Sequence, residues 1–404
     1  MQTALNTKGL IVRFAFHLNL FLLLLADRNA LWTNATVLLP WILILTSQEG
    51  RATTVRIALL NRFITATSIG LSTLLFSGCL SHACTKSEYE SIFIPILWLP
   101  IASLFESTTK KNTIAIYITI ATATISASIL IIWQLAIEKH ERPGGFSFNV
   151  MNGPMLLAML CILCATKKKS SPSALTRSHP ALIAIGIAAA ICTLAKTALL
   201  TFLTGLTTYV IRKPRDASRT IALSLPLIII WTITLSTKLQ TVQTDVIKYS
   251  NSQYRTSLGE RTDAIRWSTE HILDNPLLGK GSHQLDLQFN DRWRDWGRPK
   301  SSITSMRHLH NDYLQIAISR GIPASMAFIA SWIALAIIAS QVKIEEKNSA
   351  HHDTVTWMLV LATIYMTAFM TDSFTHWNCT WANASCCFGI ALAIIKKQRH
   401  IGPN

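Results

Sequence analysis

Apolar runs long enough to cross a bilayer recur along the chain, separated by short polar gaps. We read about twelve, near 10–26, 31–47, 55–78, 91–105, 113–137, 154–166, 181–195, 197–211, 220–239, 322–341, 355–371 and 381–395. The runs are too long and too continuously apolar for barrel strands. Lipid offers no partner to an open backbone N–H or C=O, so such runs must close their hydrogen bonds internally, as helices. The pattern predicts an all-α polytopic membrane protein of about 12 transmembrane helices. Its parts are helices one to nine over 1–239, a large, mostly helical outward loop over 240–321, and helices ten to twelve with a tail over 322–404. No small-residue cleavage site follows the first run and further spans come after it, so it is read as a span and not a removable signal peptide.

Composition agrees: half of the 404 residues are apolar and only 14% are charged, against about a quarter charged in soluble domains. A net charge of +16 would fit nucleic-acid binding, but its placement argues otherwise. Lys8 and Arg13, Arg51 and Arg56, Lys110-Lys111, Lys167-Lys168-Lys169 with Arg177, Arg212-Lys213-Arg215 with Arg219, Lys343 with Lys347, and Lys396-Lys397 with Arg399 fall in every second gap. The gaps between carry little: Arg28, Lys86, Lys139, Arg142, Lys196. This alternation is the positive-inside pattern. It predicts an inner-membrane protein with both termini cytoplasmic, membrane lipids as its surroundings, and no nucleic-acid partner. The Cys161-x-x-Cys164 pair lies inside an apolar run and reads as packing, while Cys79 and Cys84 fall in an outward gap where a disulfide is feasible.

The 240–321 stretch is too long for a connector and too patterned for disorder. Long outward loops escape the charge rule, so its arginines leave the topology intact. Within it, GERTDAIRWSTEHILDNPLLGKG (259–281) predicts an amphipathic helix entered near Arg261, with Ile265, Ile272 and Leu273 as its apolar positions. Pro276 ends the helix, and PLLGKG makes a glycine turn. RHLHNDYLQIAISRG (307–321) then combines two histidines, an Asn-Asp pair and two arginines just before the next span. Asn311 or Asp312 caps a short helix that Gly321 and Pro323 end, which sets His310 at a helix N-terminus. Such a terminus disfavours imidazolium and attracts anions, the setting of a general base. A His308-x-His310 metal site lacks acidic or thiol partners to complete a shell, so no metal or other cofactor is expected.

Gly259-Glu260-Arg261, Trp267, Asn275-Pro276-Leu277-Leu278-Gly279, and His310-Asn311 running to Gly321 resemble the O-antigen ligase/polymerase superfamily of lipid-linked glycan transferases. The many spans with one large late loop resemble it too. The resemblance implies a GT-C-like membrane glycosyltransferase of lipopolysaccharide biosynthesis. Its donor would be a glycan on undecaprenyl diphosphate presented in the periplasm, and its acceptor a sugar hydroxyl of the lipid A–core. His310 would activate that hydroxyl and Arg261 would hold the diphosphate. The family's further outer-face Arg is Lys196 here, which keeps the charge but loses the bidentate fork, or else phosphate binding shifts to Arg142. Arg255, Arg266, His308 and Asn311 complete the candidates for diphosphate and glycan binding.

The chemistry fits. A sugar diphosphate leaves with spread negative charge, which fixed cations stabilise. The outward loops carry no DxD, so catalysis is expected to be metal-independent. One base without a second carboxylate nucleophile predicts inversion at the anomeric carbon. A Wzy-type polymerase is the alternative within the class, followed by a protein O-oligosaccharyltransferase. A transporter is the alternative outside it, but the spans show few mid-membrane charges and no clear inverted repeat.

Overall fold

The computed structural model describes residues 18, 30–46, 48–81, 94–138, 152–166, 173–193, 196–251, 256–281, 309–340, 349–371 and 378–399. Regular structure among them is helical throughout. In chain order the helices are α1 (Ala30–Leu45), α2 (Gln48–Leu60), α3 (Arg62–Ser81), α4 (Trp98–Ala136), α5 (Asn152–Thr166), α6 (Ser173–Cys192) and α7 (Lys196–Arg212). They continue with α8 (Ala217–Ser250), α9 (Ser257–Ile272), α10 (Asp312–Arg320), α11 (Ile322–Ser340), α12 (Ser349–Thr371) and α13 (Asn378–Arg399).

Among the described residues three stretches are long and apolar enough to cross a membrane: Tyr117–Ala136, Ile322–Ser340 and Asp353–Thr371. The pair Arg51–Leu59 and Arg62–Leu74, bent by 103°, makes a fourth if taken as one broken span. Shorter apolar helices lie at Gly153–Ala165, Pro180–Ala190 and Ala384–Ile395. The chain is a helical membrane protein, although these stretches do not add up to about twelve spans.

Three boundaries differ from expectation. The runs at 91–105 and 113–137 are one helix, α4, which Lys110-Lys111 do not interrupt. From Ile101 to Ala136 it holds no Gly or Pro, and lysine and threonine alone do not end a helix. At 1.5 Å per residue α4 reaches roughly 58 Å, well beyond a hydrocarbon core of about 30 Å. The outward loop expected from residue 240 starts as helix, since α8 runs on to Ser250. The single run at 55–78 is broken at Asn61 between α2 and α3.

One continuous core joins most of the bundle, with Ile57, Trp98, Ile131, Leu160, Phe328, Trp332, Leu361, Tyr365 and Phe369 among its buried members. Helices α7 and α12 run antiparallel. Thr208 donates to Thr363 (3.1 Å) and Thr367 to Thr204 (3.2 Å), and Lys213 pairs with Asp353. Gly205 lets them approach, since a Cβ there would already press on Ile364 and Val360 at 3.2 and 3.3 Å. This ladder fixes the levels. The Lys213–Asp353 pair marks one end of the bundle, and Met370, seventeen residues along α12, lies roughly 25 Å away at the other. The start of α7, Lys196, falls at the Met370 end.

Candidate functional site

Helix α10 has nine residues, too few to persist alone in water. Packing on both sides holds it. Ile316 joins the main core, while Ile318 joins a small separate one with Leu309 and, from α9, Ala264 and Trp267. Trp267 is wholly buried, and a side chain of that size contributes about 1.5–3 kcal/mol on burial. The buried face of α9 is therefore Asp263, Ala264, Trp267 and Ser268, spaced for one side of a helix. Of the three apolar positions expected to be buried, Ile272 packs against this small core, while Ile265 and Leu273 are 51% and 74% exposed. Burial against α10 outweighed their hydropathy.

Asn311 is the N-cap of α10. Its Oδ1 accepts from Leu314 N at 3.1 Å, and its Nδ2 donates to the Met370 carbonyl at 3.2 Å. One amide thus caps α10 and anchors it to the end of α12. Tyr313 adds a second tie, donating to the Met366 carbonyl at 2.9 Å. Burial, helped by the adjacent Asp312 carboxylate, pushes its phenol up, so it stays a donor. From the preceding side, Gln315 Oε1 accepts from Leu309 N at 3.0 Å.

His310 lies between these two anchors with φ 53, and is half-buried. No other non-glycine residue among those described has positive φ. That region is sparsely populated for residues with a Cβ and costs on the order of 1 kcal/mol or more. Gln315 on one side and Asn311 on the other hold it there.

The far end of α10 is closed by the glycine turn. Lys280 N donates to Ile318 O (2.7 Å) and Gly281 N to Ser319 O (3.1 Å), while Gly321 N donates to Ala317 O (2.9 Å). Three final carbonyls of α10, left without partners inside the helix, are thereby satisfied. The same turn serves α11, whose first amide, Ile322 N, donates to Pro276 O at 2.7 Å. Gly279 (φ 70) and Gly321 (φ 88) sit where the strands of this clasp touch. A Cβ on Gly279 would overlap Arg320 N and Ser319 C, and one on Gly321 would overlap Leu277 O. Pro323 accordingly lies in the first turn of α11, where its missing N–H costs nothing. Lys280 also donates to exposed Asp274 at 2.7 Å and holds that carboxyl below its usual range.

Helix α9 starts earlier than expected, at Ser257, because Thr256 caps it by accepting from Gly259 N at 3.0 Å. Arg261 is therefore in its second turn, not at its start. It is half-buried and precedes Ala264 by three residues, on the side of α9 that turns toward Leu309, the neighbour of His310. Asp263, fully buried, accepts from Tyr249 on α8 at 2.9 Å and fixes the rotation of α9. Arg266 is exposed and paired with Glu270 at 3.3 Å, on the side of α9 away from Trp267. Lys196 opens α7 at the Met370 end of the bundle, the end that Asn311 anchors. Arg142, Arg255 and His308 lie outside the described residues, as does Cys84 of the feasible disulfide. Free Cys161 is buried, in keeping with packing.

Sequence reasoning placed His310 just before a short helix, Asn311 as its cap and the glycines at the turns, as the structure has them. It missed Gln315, whose role depends on a backbone amide six residues away, and the pairing of Asp263 with Tyr249. It also missed Leu309 and Ile318, whose burial depends on α9.

No curated protein matches the chain. Residues 181–329, from α6 to the middle of α11, match the family model described as O-antigen ligase. This segment holds Lys196, α9, the glycine clasp and the His310 cap, so the resemblance to the O-antigen ligase family stands on the stretch that builds the site.

Proposed function

We propose that this protein is an O-antigen ligase. It transfers a glycan from undecaprenyl diphosphate to a sugar hydroxyl of the lipid A–core, on the periplasmic side of the bacterial inner membrane, with both termini cytoplasmic. The observation that carries this reading is the left-handed backbone of His310, held between Gln315 and Asn311 inside the segment that matches the family. Strain of this kind persists where a side chain must be aimed. In our reading the imidazole takes the proton of the acceptor hydroxyl as that oxygen attacks the anomeric carbon. The carbon–oxygen bond to the diphosphate breaks on the opposite face, and the configuration inverts. Arg261 and Lys196 stabilise the charge that gathers on the departing diphosphate. Arg142, Arg255, Arg266, His308 and Asn311 are proposed for holding diphosphate or glycan. No step calls for a metal ion.

The test is the lipopolysaccharide profile of cells lacking the gene, complemented with wild type or His310→Ala. The ligase reading expects no capped core, accumulation of undecaprenyl-linked polymer, and rescue by wild type only. Core capped by a single repeat unit would instead assign the polymerase reaction. Full rescue by His310→Ala would remove the proposed base.

A further inference from the structure

We propose a second lipid site at the opposite end of the bundle, for an anionic glycerophospholipid whose phosphate rests on Arg212 and one of whose acyl chains lies in a groove between α5, α6, α7, α8 and α12. The groove has a volume of about 290 Å³, close to that of a small ligand pocket. Leu160, Cys164, Ile187 and Leu206 line it, and Tyr209 and Trp357 do so nearer the end of α7.

That end is chemically distinct. The Tyr209 and Trp357 rings pack at 5.0 Å with their planes tilted by 38°, and such amphipathic rings favour the boundary between hydrocarbon and headgroups. One turn further along α7 is Arg212, half-buried, with its Nε sealed from solvent and no acceptor reaching it among the described residues. A guanidinium stays charged, and a buried N–H without an acceptor is costly. A phosphate bound at the outer N–H groups of the same guanidinium would offset that cost with charge-assisted hydrogen bonds. Neighbouring Lys213 is engaged by Asp353 and lies 6.0 Å from the Tyr209 ring centroid, so it braces this end of the groove. Exposed Arg215 adds positive charge. Basic residues at a bilayer surface select anionic headgroups.

The level along the bundle argues for a phospholipid over the prenyl tail of the donor. The groove's cationic end lies at the Asp353 end of α12. Lys196, proposed above for the diphosphate, and Asn311, which anchors the His310 turn, belong to the Met370 end, roughly 25 Å away.

The full-length protein in detergent, offered phosphatidylglycerol and phosphatidylcholine of identical chains, is read by native mass spectrometry for retained lipid. Wild type is expected to prefer phosphatidylglycerol about fivefold, the scale of one cationic contact at a membrane surface. Arg212→Gln should abolish the preference while keeping both lipids bound. Cys164→Trp, which fills the groove, should lower retention of both. Thermal unfolding checks that each variant is folded. Equal retention of the two lipids by wild type overturns the proposal, as does an unchanged preference in Arg212→Gln. Displacement of phosphatidylglycerol by undecaprenyl phosphate, equally in wild type and Arg212→Gln, would give the groove to the prenyl chain and also overturn it.

Discussion

The small core beneath His310 and the interface of α7 with α12 solve different problems. The small core has four buried members, Ala264, Trp267, Leu309 and Ile318, too few to define a unique geometry. The shape there comes from backbone hydrogen bonds: two caps, a glycine clasp and a side-chain amide that holds Leu309 N. The α7–α12 interface lies along a membrane span, where backbone groups are satisfied within each helix. Its shape comes from close approach at Gly205 and a few hydroxyl ties. The difference teaches where sensitivity lies. At the site, single atoms decide the backbone path. In the bundle, the loss is spread over many small contacts.

The largest effect should follow Gly321→Val, which needs a left-handed φ from a branched residue and overlaps the Leu277 carbonyl. The clasp should open, with transfer lost and the 256–281 segment cut readily by protease in membrane vesicles. Gly70→Ala in α3 is the matched control. A Cβ there meets nothing within 4 Å, and alanine should stabilise the helix by up to about 1 kcal/mol. Equal damage from both would dissolve the contrast between the regions.

Next comes His310. Replacement by Ala should lower transfer on the order of 10²–10⁴-fold, the scale of a general base, with normal protein levels in the membrane. His310→Asn keeps a residue that accepts positive φ, so it separates backbone from imidazole. If Asn restores the rate, the ring is not the base.

Gln315→Leu leaves the Leu309 amide without its acceptor, a loss of about 1–3 kcal/mol. The expected result is a reduced transfer rate and faster hydrogen exchange at Leu309, with Gln315→Glu recovering much of both. By contrast, Thr204→Val and Thr208→Val should each cost only about 0.6 kcal/mol, the average for hydrogen bonds between membrane helices, read as a small drop in melting temperature in detergent.

The smallest effect is on acidification. The Lys280 bond lowers the folded pKa of Asp274, so the folded protein binds that proton more weakly than the unfolded chain. The contribution of the clasp is thus complete above the ordinary carboxylate range and fades as pH falls through the lowered value. Exchange at Gly279 and Gly281 should accelerate only in that acid range, and Asp274→Asn should flatten the profile.

The chain's own order of residues determined a good deal. Continuous apolar runs required helices, since lipid satisfies no open backbone group. The cap at Asn311, the stop at Gly321 and the turn after Pro276 are local events, decided within a few residues. The tertiary structure alone decided the rest, because it depends on partners far along the chain. It chose the Asp263–Trp267 face of α9 over Ile265, since burial depends on α10 and not on hydropathy. The joining of two apolar runs into α4, by contrast, was a local matter, because nothing in the polar stretch between them breaks a helix. The tertiary structure brought Gly279 and Gly321, forty-two residues apart in the chain, into one clasp, and it set Lys196 at the His310 end through the antiparallel threonine ladder. Long-range packing selects among local options that differ by about a kilocalorie per mole, a difference that no single segment carries by itself.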